Sequence, residues 1–251
     1  MKFPVEIPIG STSVPLHAIL ESMGIFIGFR YFLYLRKKQG DSIEQENRIW
    51  ILIAAMFGAL LGSRLIGSLE DPQRWFDAKS KLLYFYQNKT VLGGFLGGLI
   101  AVEGVKKYIG EKQASGDLFV QPLLLALIIG RIGCFSMGIY EETYGISTTF
   151  ITGINLGDGI SRHPVCLYEI VFLISLWIIF TQTKMKATLA QGSIFKLFMI
   201  CYLLFRFVLD FLKPHYTYSF GLSTIQVTAL AGLIYYSPFI FKPSKLYQKY
   251  A

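Results

Sequence analysis

Charged residues are scarce in this chain, and their scarcity decides its class. They make up 16% of the 251 residues, while apolar residues make up 53%; soluble domains carry about 25% charged residues. The mean hydropathy is +0.48. A water-soluble domain with so few charges would not cover its surface, and the same composition excludes disordered, collagen-like and coiled-coil chains. The sequence therefore predicts a polytopic membrane protein.

Cysteine is also rare, and its positions show neither disulfide nor metal-ligand spacing. Cys134, Cys166 and Cys201 lie in or beside apolar segments, and no CxxC or Cys/His ligand pattern is visible. We therefore expect no disulfide framework, no metal site and no cofactor. The amino-terminal segment also lacks the pattern of a cleavable signal peptide, so we expect the first membrane helix to direct insertion.

Basic residues outnumber acidic ones and give a formal net charge of +8. They occur in short clusters at the ends of apolar stretches, such as Arg36, Lys37 and Lys38. Clusters at such places are typical of cytoplasmic membrane anchors. We therefore expect the membrane, and not a nucleic acid, as the partner of these charges.

The apolar stretches predict an all-α fold with about seven transmembrane helices in a single domain, residues 1–251. About 20 helical residues cross a bilayer core. The predicted helices are 15–36, 49–68, 91–108, 118–138, 165–182, 191–212 and 222–241. Lys and Arg are more frequent after the first, third, fifth and seventh helix, which predicts an external amino terminus and a cytoplasmic carboxyl terminus. Glycines four apart, as at Gly58/Gly62 and Gly93/Gly97, predict close helix packing.

Two predicted external loops, 69–90 and 139–164, contain more than connecting residues. The run from Trp75 to Tyr86 has the pattern of an amphipathic helix on the membrane surface. The segment 130–145 is rich in glycine, and we expect it to break the fourth helix just after Arg131. An irregular backbone at membrane depth requires protein or a water-filled cavity around it. Segment 130–145 and Arg206 together predict an anion pocket near the outer leaflet.

Three arginines lie inside predicted membrane helices, where each costs about 2.5–3.5 kcal/mol unless it faces protein, water or an anion. They are Arg64, Arg131 and Arg206. Acidic residues in the helices offer partners: Glu21, Glu103, Glu169 and Asp210. Ion pairs that only hold helices together are one interpretation. The other is a phosphate site, because the arginine fork fits phosphate oxygens as well as carboxylates.

Two pairs are spaced four residues apart and therefore share a helix face. Arg206 and Asp210 are expected to pair, so that the carboxylate holds the guanidinium in position. His17 and Glu21 form either a structural pair or a general acid/base, with the carboxylate fixing the imidazole tautomer. His163, directly before a proline at the start of the fifth helix, either caps that helix or contacts the ligand.

Several motifs resemble those of the bacterial prolipoprotein diacylglyceryl transferase family. They occur in the family order on the predicted helices: Gly62-Ser63-Arg64-Leu65, Gly97-Gly98-Leu99-Ile100, Gly130-Arg131-Ile132-Gly133 followed by Phe135, Gly138 and Tyr144-Gly145, His163-Pro164 with Leu167-Tyr168-Glu169, and Tyr202 with Arg206-Phe207 and Asp210-Phe211. The resemblance covers most of the chain.

The resemblance implies a seven-helix enzyme of the bacterial cytoplasmic (inner) membrane. Such enzymes move diacylglycerol from phosphatidylglycerol to the thiol of a lipobox cysteine in an exported lipoprotein precursor. It implies that Arg131 and Arg206 bind the phosphate. The implied substrate-binding set is Arg64, Arg131, Cys134, Tyr144, Tyr168, Glu169, Arg206 and Asp210, and the catalytic candidates are His17, Glu21, His163, Arg131 and Arg206.

Three positions depart from the family pattern, and they leave the base and the acceptor open. Leu96 replaces the histidine that precedes the Gly-Gly pair, Cys134 replaces an asparagine, and Ile139 stands at a carboxylate position shortly before Glu141 and Glu142. Either the base has moved to His17/Glu21 or His163, or the acceptor differs, or transfer has been lost. The alternatives are therefore a phospholipid-binding or translocating membrane protein without transferase chemistry, and a purely structural partner protein.

Overall fold

The computed structural model describes residues 2–186 and 189–247. Long helices form most of it: α1 (Leu16–Gln39), α2 (Gln45–Ser68), α3 (Pro72–Asp77), α4 (Lys81–Gln87), α5 (Val91–Ile109), α6 (Val120–Met137), α7 (Val165–Lys186), α8 (Ser193–Leu209) and α9 (Thr224–Ile240). Two antiparallel hairpins accompany them, β1 (Glu6–Ile9) with β2 (Thr12–Pro15) and β3 (Ile154–Asn155) with β4 (Ser161–Arg162).

Each of the seven predicted membrane stretches is helical in the structure, with ends shifted by a few residues. Within the described residues, four helices are long and apolar enough to cross a membrane by themselves. They are Leu16–Gln39, Gln45–Ser68, Asp117–Tyr140 and Val165–Thr183. The helical membrane class is therefore confirmed, while seven spans and an external amino terminus stay predictions.

The core of the bundle forms around α8, whose buried face carries Phe198, Met199, Tyr202 and Leu203 with no exposed surface. Residues of α5, α6, α7 and α9 pack against this face. The outer helices show the opposite distribution, since α1 and α2 expose large apolar side chains. Apolar side chains on an outer face are what a lipid environment requires.

Helices α2 and α5 pack backbone to backbone through glycine, as the four-residue spacing predicts. A Cβ added at Gly62 would lie 2.7 Å from the Cα of Gly97, and one added at Gly97 would lie 2.8 Å from the Cα of Gly62. Real Cβ atoms essentially never approach backbone so closely. Only glycine at these positions permits this helix pair.

We expect Gly62→Ala to destabilise the protein by about 1–3 kcal/mol, because the added methyl group forces the two backbones apart. Gly104→Ala in α5 is the matched control, since an added Cβ there meets nothing within 4 Å. Thermal unfolding in detergent measures both. Equal midpoints for the two variants would contradict the packing argument.

The break in α6 occurs later than the sequence predicts. The helix continues past Gly130 and Gly133 and ends at Met137. Gly138 has a φ of +61° and lies so close to Phe3 that an added Cβ would be 2.8 Å from its ring carbon. The prediction of a break just after Arg131 is therefore wrong, because the backbone conformation at Gly138 ends the helix, whereas Gly133 packs within the helix against His17.

The two segments predicted to be external contain more regular structure than the sequence suggests. Segment 69–90 holds two short helices, α3 and α4, where the sequence predicted one amphipathic helix. Segment 139–164 begins within a short 3₁₀ helix, Gly138–Tyr140, and later forms the β3/β4 hairpin. The amino-terminal hairpin β1/β2 was not predicted.

Candidate active site

Three helices bring two arginines to one glutamate in the bundle interior. Arg131 Nε of α6 lies 2.9 Å from Glu169 Oε2 of α7, and Arg206 Nη1 of α8 donates a hydrogen bond of 3.2 Å to the same oxygen. The Tyr202 hydroxyl donates to the other carboxylate oxygen at 2.7 Å. All four side chains are buried.

Glu169 is the carboxylate that lies within 4 Å of both guanidinium groups. The cluster of Arg131, Arg206 and Glu169 therefore carries one more positive than negative charge. Arg206 Nε is buried and has no hydrogen-bond partner among the described residues. A buried cation without full compensation is costly. An additional anion beside the arginine pair would complete its charge compensation.

Asp210 does not pair with Arg206, so the predicted pair is wrong. The Asp210 carboxylate accepts a hydrogen bond from the Ser223 hydroxyl and lies 3.6 Å from His215 Nδ1. The reason is local: α8 ends at Leu209, and the following 3₁₀ turn directs Asp210 towards the start of α9. Burial lowers the pKa of His215 from its ordinary value.

A second cluster forms around His17 in the first turn of α1. Its Nε2 lies 3.4 Å from Glu21 Oε2, which confirms the predicted i, i+4 pair. Its Nδ1 lies 2.9 Å from Glu141 Oε2. Lys89, from the segment before α5, binds both oxygens of Glu21. The cluster therefore joins three segments that are distant in the sequence.

Cys134 connects the two clusters. Arg131 Nη1 donates to the Cys134 sulfur at 3.5 Å, and the ligand atoms of His17, Cys134 and Glu141 lie within 4.8 Å of one another. Close packing makes this possible, because a Cβ added at Gly133 would be 3.3 Å from the His17 backbone. One continuous site therefore runs from Glu21 to Arg206.

Other candidates from the sequence make different contacts. His163 Nδ1 lies 3.0 Å from the Tyr168 hydroxyl, which also pairs with Thr152. The Tyr144 ring stacks with Arg162, whose guanidinium carbon is 5.1 Å from the ring centroid.

Arg64 also lies apart from the arginine pair. Its guanidinium carbon is 4.9 Å above the Tyr86 ring centroid. No carboxylate lies within 4 Å of this guanidinium in the described part of the chain. The structure therefore does not join Arg64 to the arginine pair by a contact, although sequence reasoning placed both in one substrate-binding set.

Two charged residues of the His17 cluster were not predicted as site residues. Lys89 gave no signal, because an isolated lysine in a loop is ordinary. Glu141 had a weak sequence signal, because it lies two residues after Ile139, the position at which the family that the motifs resemble has a carboxylate. Leu96, which stands where that family has histidine, lies at the bundle core, 3.2 Å from a Cβ built at Gly232.

An apolar cavity of about 920 Å³ lies between α2, α5, α8 and α9. Its wall includes Phe95, whose ring centroid is 5.2 Å from that of Tyr202. Tyr202 in turn binds Glu169. The rings of Phe95 and Tyr202 therefore separate the cavity from the arginine pair.

These features define a multi-pass helical membrane protein with a buried cationic centre next to a cluster of histidine, cysteine and glutamate. A family model described as prolipoprotein diacylglyceryl transferase matches residues 4–241. The chain belongs to this family and is, by family, a diacylglyceryl transferase.

Curated relatives agree over most of their length. A phosphatidylglycerol–prolipoprotein diacylglyceryl transferase of Dehalococcoides mccartyi is 25% identical over 241 residues, covering 94% of this chain and 92% of the relative. The enzyme of the same name from Finegoldia magna is 28% identical over 228 residues, covering 87% and 86%. That of Clostridium botulinum is 23% identical over 263 residues, covering 98% and 99%.

Proposed function

We propose that this protein transfers the diacylglyceryl group of phosphatidylglycerol to the cysteine thiol of a prolipoprotein in the bacterial cytoplasmic membrane. The names of its relatives supply the two substrates. The observation that carries the proposal is the arginine pair, Arg131 and Arg206, held in the bundle interior by a single shared glutamate.

The arginine pair is the phosphate site in this proposal. A phosphodiester has one negative charge, which matches the one excess positive charge within 4 Å of Glu169. When the ester bond to diacylglycerol breaks, the departing phosphate oxygen gains charge. Preformed cationic donors stabilise such developing charge most effectively in a site that excludes water. The arginines therefore favour departure of the phosphate.

The apolar cavity next to Phe95 is the place for donor acyl chains. Its volume lies near the upper end of small-molecule pockets, which measure about 300–1,000 Å³. Gly94 and Gly98 of α5 form part of its wall. In our proposal a donor with its chains in this cavity brings its headgroup to the arginines only when the rings of Phe95 and Tyr202 move aside.

The reaction exchanges one carbon–oxygen bond for one carbon–sulfur bond. The acceptor thiol loses its proton, and its sulfur attacks the glyceryl carbon attached to phosphate oxygen. The electron pair of the breaking bond goes to that oxygen, and glycerol phosphate leaves. In our proposal the cluster around His17 promotes loss of the thiol proton, because Leu96 offers no such chemistry.

The test is a reconstituted reaction. Purified protein in phosphatidylglycerol vesicles is incubated with a lipobox peptide, and mass spectrometry follows the peptide and the released glycerol phosphate. We expect a diacylglyceryl adduct on the peptide cysteine together with glycerol phosphate. Glycerol phosphate without peptide modification would indicate another acceptor. The absence of both products would favour the alternative of a phospholipid-binding protein, to which Leu96 points.

We expect His17→Ala to lower the transfer rate by about 100-fold, since the neighbouring cluster loses its central imidazole. His163→Ala is the matched control, because the contact described for its ring is with Tyr168 and not with the arginine pair or Cys134. Initial rates in the vesicle assay measure both variants. Loss of activity in His163→Ala but not in His17→Ala would show that His163, and not His17, activates the thiol.

A further inference from the structure

Three side chains next to the arginine pair present metal-ligand atoms to one point. His17 Nδ1, Cys134 Sγ and Glu141 Oε2 lie within 4.8 Å of one another. His17 Nδ1 and Glu141 Oε2 are buried and 2.9 Å apart, so they pair with each other. A metal ion bound between them would replace this contact and would take Cys134 as its third ligand.

The surroundings of His17 also fit a metal ligand. A histidine that binds a metal through one ring nitrogen usually donates its other N–H to a carboxylate, which fixes the ring. Glu21 stands 3.4 Å from His17 Nε2 in this role, and Lys89 holds Glu21 in turn. The ring is therefore oriented with Nδ1 towards Cys134 and Glu141.

We propose that His17, Cys134 and Glu141 bind one zinc ion, whose fourth position receives the thiol of the acceptor. Nitrogen, thiolate and carboxylate are the ligands that zinc takes, at about 2.0–2.3 Å each. Catalytic zinc sites typically have three protein ligands and one open position. The thiolate and the carboxylate neutralise the two charges of the ion, so the site adds no net charge.

This inference rests on the proposed function and supplies its activating step. A thiol that coordinates zinc is deprotonated. Its proton is released to water, its sulfur stays bound as a thiolate, and the ion itself undergoes no redox change. The thiolate then displaces glycerol phosphate from the donor held by Arg131, whose guanidinium lies 3.5 Å from Cys134. Zinc would therefore take the role of a base, which Leu96 cannot perform.

Metal content tests the site without any activity measurement. The full-length protein is purified in detergent without chelator and analysed by elemental mass spectrometry. We expect about one zinc per chain in the parent and in Cys201→Ala, a control thiol in α8 away from the cluster. We expect zinc to be lost in Cys134→Ala. Zinc below one tenth per chain in the parent, after incubation with zinc salt and gel filtration, would overturn the proposal.

Cobalt provides a second measurement that does not use Cys134→Ala, which keeps the test valid if that variant fails to fold. Cobalt bound by a cysteine shows a thiolate-to-metal charge-transfer band in the near ultraviolet. We expect this band in the parent and a 10–100-fold weaker cobalt affinity in Glu21→Gln, because Glu21 positions the His17 ring. Cobalt binding without the band would exclude Cys134 as a ligand and contradict the site.

The two proposals fail in different ways. Peptide modification by protein that contains no zinc and resists chelators would overturn the zinc site and leave the transferase intact. One zinc per chain without any diacylglyceryl product would support the metal site and contradict the proposed function. If both hold, chelation abolishes transfer and added zinc restores it.

Discussion

Arg206→Ala is expected to lower diacylglyceryl transfer by about 10²–10³-fold, because one of two donors to the developing phosphate charge is removed. The variant should still fold. Once Arg206 is gone, Glu169 keeps Arg131 at 2.9 Å, and one cation then faces one carboxylate. Arg131→Ala should behave in the same way. Initial rates of peptide modification in phosphatidylglycerol vesicles measure the effect.

Two further variants make this result specific. Arg206→Lys keeps the charge but loses the planar fork, so we expect activity between that of the parent and Arg206→Ala. Arg30→Ala removes an exposed arginine of α1 and should leave the rate unchanged. Parent-like transfer by Arg206→Ala in correctly inserted protein would remove the phosphate assignment.

Glu169→Gln is expected to destabilise the protein by about 3–5 kcal/mol, since it leaves two buried guanidinium groups without their shared carboxylate. The change removes charge but little volume, so lost packing does not explain the effect. Thermal unfolding in detergent measures it. The contrast with Arg206→Ala is the essential point: removing one cation improves the local charge balance, and removing the anion worsens it.

Phosphatidylglycerol provides the check on this explanation. If the arginine pair binds phosphate, the donor lipid should raise the unfolding temperature of Glu169→Gln more than that of the parent, because the variant has lost its own anion. Diacylglycerol, which has the same acyl chains but no phosphate, is the matched control. Equal shifts with both lipids would indicate that the arginines serve only to join helices.

The helices could be predicted from the sequence because hydropathy is a local property. Every predicted membrane stretch is helical in the structure. The amino-terminal hairpin β1/β2 could not be predicted in this way, since its four-residue strands carry no long apolar run. The bounds predicted for the fourth helix, 118–138, agree with α6, but a break just after Arg131 was wrongly expected because glycine inside a helix and glycine after a helix look alike in sequence. Of Gly130, Gly133 and Gly138, only Gly138 has a positive φ.

The site could be predicted in its residue types but not in its partners. Arg131, Arg206 and His17 stood out because charge and imidazole are unusual in apolar helices. The four-residue rule correctly paired His17 with Glu21 and wrongly paired Arg206 with Asp210. The rule holds along a continuing helix, but α8 ends before Asp210 and tertiary contacts decide the partner.

The His-Cys-Glu cluster had no sequence signature. Its members come from the start of α1, the last turn of α6 and the segment beyond α6. Motifs for metal sites depend on ligands close together in the chain, and His17 is more than a hundred residues from Cys134. Only the packing of α1 against α6 at Gly133 brings them together.

The tight seam between α2 and α5 has a consequence for how a lipid enters. A methyl group at Gly62 or Gly97 would meet the backbone of the other helix, and a shift of α2 by one residue would bring a larger side chain to this contact. We therefore expect α2 and α5 to move together as one unit. A phospholipid that arrives from the side would then pass beside this helix pair and not between its two members.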